Sequence, residues 1–312
     1  MKIAVFYYSQ SGQAKDVAIN LCKPLEDNST NKVVYKEIIP KHRFPFPWSR
    51  QTFFDVFPET RLGLPCGGIE PMDLSDIEDP QLVIVVGQTW FLSPSLPLQA
   101  FFTDKEVMVF LNGRKIIFVN ACRNMWLMTI RKIKGYIESA NAALVGHIVL
   151  QDSNPNLVSV ITVIRWMIYG KKEATRLLPA SGISPEIIVN ASTFGTIIDN
   201  AQDNNFAGLQ DRLMEAGAID YKPSIVFMEK AGHRMFGLWA KFIMQKGSMG
   251  DTCRYFRLSL FYYYLLFVLF IISPFGQLYF YLTYALQNVN KKRQIECSIH
   301  ISNYNSNNNN NK

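Results

Sequence analysis

The sequence predicts an α/β fold: a five-stranded parallel sheet wound with helices on both faces, followed by a helical C-terminal region with a membrane-embedded segment. Three observations predict it. Short apolar runs alternate with helical periodicities through the first 150 residues. The pattern after residue 150 is mostly helical. A stretch of 29 residues near the C-terminus, Leu258–Leu286, carries no charge. Strand–helix alternation implies right-handed crossovers and a buried parallel sheet. The 312 residues are 48% hydrophobic and only 18% charged, which excludes wholesale disorder and points to apolar material beyond an ordinary core.

Each element follows from its pattern. Lys2–Tyr8 is a near-continuous apolar run, a strand buried on both faces. Gln13–Leu25 places Val17, Ala18, Leu21, Cys22 and Leu25 at helical spacing. Lys32–Ile39, Gln81–Val86, Lys115–Val119 and Ala143–Leu150 read as four more strands, with a helix over Met125–Ser139. Five such strands fit a doubly wound, flavodoxin-like sheet. Residues 40–72 break the rhythm. Six prolines and three glycines exclude a long helix there, yet Phe44, Phe46, Trp48, Phe53, Phe54 and Phe57 are too apolar for a solvated linker. This aromatic insertion either lines an apolar substrate path or forms a satellite hydrophobic cluster. Helices are expected over Asn156–Tyr169, Ser184–Asn200, Asn204–Ala216 and Gly232–Gln245, the last amphipathic.

The resulting organisation is a flavodoxin-like domain over 1–200, a helical extension over 201–253, a membrane segment over 254–293 and an Asn-rich disordered tail over 294–312. Residues 251–312 carry six Lys/Arg against two Asp/Glu, so much of the net charge of +7 lies beside the apolar run. Cations flanking an apolar run suit a membrane, not nucleic acid. At about 1.5 Å per residue, Leu258–Leu286 makes about 43 Å of helix against a hydrocarbon core of about 30 Å. Pro274-Phe275-Gly276 is expected to break it into pieces of 16 and 10 residues. With Arg254 and Arg257 before it and Lys291, Lys292 and Arg293 after it, the run reads as a hairpin entering and leaving by the cytoplasmic face; a kinked single span is the alternative. Tyr262–Tyr264, Tyr279, Tyr281 and Tyr284 supply interfacial rings. The start, MKIAVFYYSQSG, reads as a strand and turn rather than an export signal, so the domain is expected on the cytoplasmic side of the membrane.

Candidate chemistry gathers at three strand ends. Ser9, Gln10, Ser11, Gly12 and Gln13 lie where the first strand meets the first helix, a place that favours a phosphate. No GxGxxG is present, so a single phosphate, as in FMN, fits better than a dinucleotide. Gln88, Thr89, Trp90 and Phe91 follow the third strand, and Asn120, Cys122 and Arg123 follow the fourth. Ligands of open α/β sheets bind outside these carboxyl ends. Trp90 and Phe91 either stack on a flat ring or pack internally, as does Trp126. Arg123 is either an anion-binding group or a solvated cation. Cys122 has no evident base beside it. Five scattered cysteines form no CxxC pair, and four isolated histidines give no ligand spacing, so no disulfide framework or metal site is expected. No catalytic acid or base stands out.

The segment YYSQSGQ resembles the phosphate loop of flavodoxins and quinone reductases, departing at Ala14, where that family often has a hydroxyl. FPFPWS (44–49), FFDVFPET (53–60), WFLSPSLP (90–97), CRNMW (122–126), NPNLVSV (154–160) and GHRMF (232–236) together resemble bacterial dialkylresorcinol condensing enzymes. That resemblance implies a role in building aromatic lipids from two β-keto acyl chains, beside a ketosynthase partner. No Cys-His-His site for Claisen chemistry is present, so the expected role is FMN-dependent oxidation of a cyclohexanedione to a resorcinol, with a lipidic dione as substrate and membrane lipid as surroundings. A general NAD(P)H:quinone reductase and a flavin-free membrane scaffold for the ketosynthase are the alternatives.

Overall fold

A computed structural model describes residues 1–65 and 67–286. The Asn-rich tail, the basic residues Lys291, Lys292 and Arg293, and the Tyr284 side chain lie outside what it describes. The first half comprises β1 (Lys2–Tyr7), α1 (Gln13–Asp27), β2 (Lys32–Glu37), α2 (Arg50–Asp55), α3 (Phe57–Leu62), β3 (Leu82–Trp90), β4 (Ser93–Pro94), α4 (Leu96–Thr103), α5 (Lys105–Leu111), β5 (Lys115–Cys122), α6 (Leu127–Ser139) and β6 (Ala143–Gln151). The sheet order is β2-β1-β3-β5-β6, all parallel, with two-residue β4 folded antiparallel onto β3. Counting the parallel strands alone, this is the 2-1-3-4-5 order of flavodoxin-like folds.

Strand periodicity splits the core in two. Ala4, Phe6, Val83, Val85, Ile116 and Phe118 face Phe101, Ile130 and Ile133 of α4 and α6. Ile3, Val5, Ile84, Val86, Ile117 and Val119 face α1 and the later helices α8 (Pro185–Asp199) and α9 (Leu209–Glu215), chiefly through Val17, Leu21, Ala191, Ile198 and Leu213, whereas α7 (Asn156–Tyr169) lays Met167 and Ile168 against the opposite core. Alternate residues point to opposite faces, so both sides of each central strand are apolar.

The structure refines or departs from sequence expectation in several of its helices. Helices α4 and α5 form where none was assigned: α4 is apolar all round and shows no amphipathic stripe, whereas Asp104 caps α5 by accepting from the N–H groups of Glu106 and Val107. The helix expected over Asn204–Ala216 begins only at Leu209, after Gly208 in the left-handed region. The helix expected over Gly232–Gln245 is the C-terminal part of a longer one, α10 (Pro223–Met244), which opens with Pro223 where proline costs no hydrogen bond. Proline-rich residues 40–72 contain two six-residue helices, α2 and α3, as their breakers permit.

The apolar run does not break at Pro274. A short 3₁₀ turn, Thr252–Arg254, leads into α11 (Tyr255–Phe267), a π-helical stretch Val268–Ile272, and α12 (Ser273–Leu286) without interruption. The hairpin expected within this run is therefore not formed. The wider π turn just before Pro274 absorbs the missing N–H and the ring clash that would split an α-helix. An 18-residue window within Thr252–Thr283 has a mean hydropathy of 2.0, and by length and composition this helix can cross a membrane. It runs back antiparallel along α10: Trp239 meets Tyr264 (5.0 Å), Met228 meets Ser273 (3.3 Å) and Phe227 meets Phe280 (5.6 Å). Leu258 and Phe261 are buried in this packing, whereas Phe267, Ile271, Phe275 and Leu278 are exposed.

At the foot of this helix, Arg254 is fully buried between two carboxylates of the aromatic insertion. Its Nε donates to Asp55 Oδ1 (2.7 Å), and its Nη1 and Nη2 donate to Glu59 Oε1 (2.6 Å) and Oε2 (2.9 Å). Replacing Arg254 by methionine strands both acids, and we expect a loss of about 3–5 kcal/mol in urea unfolding of the detergent-solubilised protein. A second prediction concerns His147, which lies in the core against Trp126 and Phe118, both ring nitrogens unpartnered. Burial lowers its pKa to about 3. The unfolded chain therefore takes up a proton near pH 6.5 that the native chain refuses, so stability is lost as pH falls from 6.5 towards 3. The variant His147→Phe should show a shallower decline in urea midpoint between pH 7 and pH 5 than the parent.

Candidate functional site

The loop joining β1 to α1 is built around Gly12. Its φ of +88° is a conformation side chains rarely adopt, and a Cβ there would meet nothing within 4 Å. The loop is thus open towards solvent at the start of α1. Among the described residues, the N–H groups of Ser11, Gly12, Gln13 and Ala14 donate to no protein acceptor. Free first-turn amides and the positive end of the helix make a cradle for an anion. Ser9 Oγ accepts from the Lys15 N–H (3.1 Å), which fixes the loop's curvature. Gln13 has a different duty. Its side chain is buried and grips Ile183, donating to the carbonyl (2.9 Å) and accepting from the N–H (3.2 Å). It ties α1 to the segment before α8 and leaves only its backbone for a ligand. Gln10 donates to the Pro45 carbonyl (3.1 Å), which holds the aromatic insertion over the loop.

Gln88, Thr89 and Trp90 are strand residues, not a loop. They extend β3 because Ser93 and Pro94 fold back onto Trp90 and Thr89. The two-residue turn between them puts Phe91 (φ +47°) and Leu92 (φ +60°) in the left-handed region, as a hairpin of matching twist requires. The turn also separates the two candidate stacking residues. Trp90 packs edge-on against Tyr8, Phe44 and Trp48 (5.3–6.0 Å) above the sheet edge. Phe91 turns the other way, onto Phe53 (4.9 Å) and Phe57 (5.2 Å), in the cluster that continues to Phe261 of the apolar helix. Trp90 and Trp126 are both core-packed.

Asn120 and Cys122 likewise end β5 rather than begin a loop. Asn120 is fully buried; its Oδ1 bonds the Thr89 hydroxyl (3.0 Å), which also meets Thr129 (2.9 Å), and its Nδ2 has no partner. Burial pushes the Cys122 thiol well up, with Glu229 adding to the effect, so the thiol is inert. Arg123 donates to both the carbonyl (2.9 Å) and Oδ1 (2.8 Å) of Asn156, and burial lowers its guanidinium to about 10. It is neither a solvated cation nor a free anion clamp: it braces the β6–α7 junction.

Thus Ser9–Gln13, Gln88 and Trp90 share the carboxyl edge of the sheet with the 44–48 segment, while Phe91 leaves it and Asn120 and Cys122 sit beneath it. Sequence reasoning missed three groups. Asp152 accepts from Asn154, Ser159 (3.0 Å) and Gly182 (3.3 Å), joining β6, α7 and the 182 turn. Asn156 receives Arg123 and Asn124. Glu229 of α10 caps α6 by accepting from the N–H groups of Leu127 (3.2 Å) and Met128 (2.8 Å), and burial raises its pKa. Only Asp152, a lone acid just past an apolar strand, carried a local signal. Among the described residues no group of His, Cys, Asp or Glu is placed to hold a metal ion.

No protein-family profile matches the chain, and no curated protein matches it. Solved structures similar to it include a WrbA-like flavodoxin from Agrobacterium tumefaciens (10% identity, 65% of this chain and 98% of that one, TM-score 0.40). A flavoprotein in complex with FMN from Lactobacillus acidophilus is 13% identical, covering 47% of this chain and 92% of that one, TM-score 0.38. Oxidised flavodoxin 2 from Bacillus cereus is 16% identical, covering 66% and 98%, TM-score 0.35. The flavodoxin-like assignment itself rests on the strand order.

Proposed function

We propose that this chain is a membrane-anchored FMN oxidoreductase that aromatises a lipidic cyclohexanedione to a dialkylresorcinol, downstream of a ketosynthase. The observation that supports this reading is the double contact of the aromatic insertion. At its 45 end it is bonded to the Gly12 loop through Gln10, and at its α2–α3 end it packs on the apolar C-terminal helix. One continuous aromatic wall thus runs from the anion cradle to the surface that lipid would meet.

The residues present fit FMN at its phosphate end: an open positive-φ glycine, unpaired amides and two serines at a helix start. Ser9, Ser11, Gly12 and the Gln13 backbone would hold the phosphate. The ring would meet the Phe44–Trp48 segment and the Trp90 side of the sheet edge, with Gln88 within the same strand end. Bound FMN would supply a two-electron acceptor for the two hydrogens the dione loses. The chain's part is to bind, to exclude water with Phe44, Trp48 and Trp90, and to present an apolar approach through Phe53, Phe54 and Phe57 for alkyl chains.

Protein purified in detergent should be yellow and should release FMN on denaturation. The double variant Ser11→Asp, Gly12→Glu places two carboxylates in the cradle and should lose flavin by at least tenfold; full retention would contradict the loop assignment. Wild-type protein should sediment with membranes. Lysines at the exposed positions Phe267 and Ile271 cost roughly 2.5–3.5 kcal/mol each at the centre of a span. The pair should move much of the protein to the soluble fraction, and wild-type protein wholly in that fraction would contradict the anchor.

A further inference from the structure

Two motifs that the flavin reading leaves unused, the end of FFDVFPET with the following Arg61 and the GHRMF segment, meet on the far side of the β3–β4 turn. Arg61 at the end of α3 lays its guanidinium on α10, donating through Nε (3.1 Å) and Nη2 (2.7 Å) to the His233 carbonyl. Lys132 of α6 reaches the same seam. Its ammonium donates to Gln99 Oε1 (2.9 Å), and it occupies room that only a glycine leaves: a Cβ on Gly63 would sit 2.5 Å from Lys132 Nζ. Gln99 is fully buried and its amide is oriented by the carbonyls of Thr60 and Pro94, so its oxygen faces Lys132 and Tyr136. His233 Nδ1 is buried without a partner.

The cluster has cations and no counter-charge. Among the described residues, no carboxylate lies within ion-pair distance of Arg61, Arg131 or Lys132. Two acids on these same elements are committed elsewhere: Glu59 to Arg254, and Glu229 to the start of α6. Half-buried cations brought together without an acid are costly, and a charged ligand removes that cost. We propose that Arg61, Lys132 and His233 form a site for an oxyanion, the carboxylate or phosphate group of a ligand that enters between α3, α6 and α10. The electrostatics agree. Burial and the neighbouring Arg61 lower the Lys132 ammonium to about 8, and burial together with Arg61 and the two α6 cations lowers His233 to about 4, against the opposing pull of the Leu92 backbone. The groups facing Lys132 are Arg61 from α3, Gln99 from α4, Tyr136 from its own helix and His233 from α10; none is acidic. The seam lies beside Leu92 and the Phe57–Phe236 pair, so the anion is either free or the head of an acyl chain.

The test is thermal unfolding of the full-length protein in non-ionic detergent, with inorganic phosphate, hexanoate or hexanol added. Phosphate or hexanoate should raise Tm by several degrees, and hexanol should not. A phosphate response identifies a free oxyanion. A hexanoate response with phosphate silent identifies the head of an acyl chain. Lys132→Met should be more stable than the parent without ligand and should lose the response. In the parent, the hexanoate response should weaken between pH 7 and pH 9 as the ammonium discharges, a readout that needs no variant. Silence of the parent to both anions, or an equal response in Lys132→Met, would overturn the site.

Discussion

The buried triad of Arg254, Asp55 and Glu59 is the interaction on which the molecule's architecture turns. A guanidinium taken wholly out of water has a large desolvation cost, and two carboxylates with matched geometry offset it. Asp55 also accepts from the Gly250 N–H (2.8 Å), so the turn before the apolar helix is fixed by the same group. The consequence is directional. A helix that would otherwise emerge anywhere after α10 is held at the insertion, and Phe261 stacks on Phe57 at 3.9 Å. Ion pairing sets the register; aromatic packing supplies the area.

That junction explains why the insertion is so aromatic. Residues 40–72 have to face two partners with different chemistry. Phe44 and Trp48 close over the sheet edge with Tyr8 and Trp90. Phe54 and Phe57 bind Phe91, Phe236 and Phe261. Rings with edge-to-face contacts fill such an irregular seam, where only the two short helices α2 and α3 are regular. The Phe91–Leu92 turn is the divider: its backbone sends one ring to each cluster.

The sheet and the open loop at Gly12 were legible because their signals are local. Apolar runs of five to seven residues bounded by turns specify strands, and Gly12 at a strand–helix junction specifies an open loop. What escaped was set by tertiary contact. Gln88 and Thr89 look like loop residues until Ser93 and Pro94 pair with their strand. Pro274 looks like a helix breaker until a π turn precedes it. Gln13 and Arg123 lie past strand ends as expected, but their side chains serve packing, because partners 170 and 33 positions away claim them. Asp55 and Glu59 close two successive short helices onto Arg254, which lies almost two hundred residues on, so no local pattern announces the triad.

The most direct measurement is a single anaerobic turnover. Flavin-loaded protein would be mixed with a synthetic cyclohexane-1,3-dione bearing two alkyl chains, and the visible flavin band followed while the product is analysed. Bleaching of the band with an equal amount of dialkylresorcinol formed is the expected result. A flavin that stays oxidised while the dione is recovered unchanged would contradict the assignment of this fold to the aromatising step.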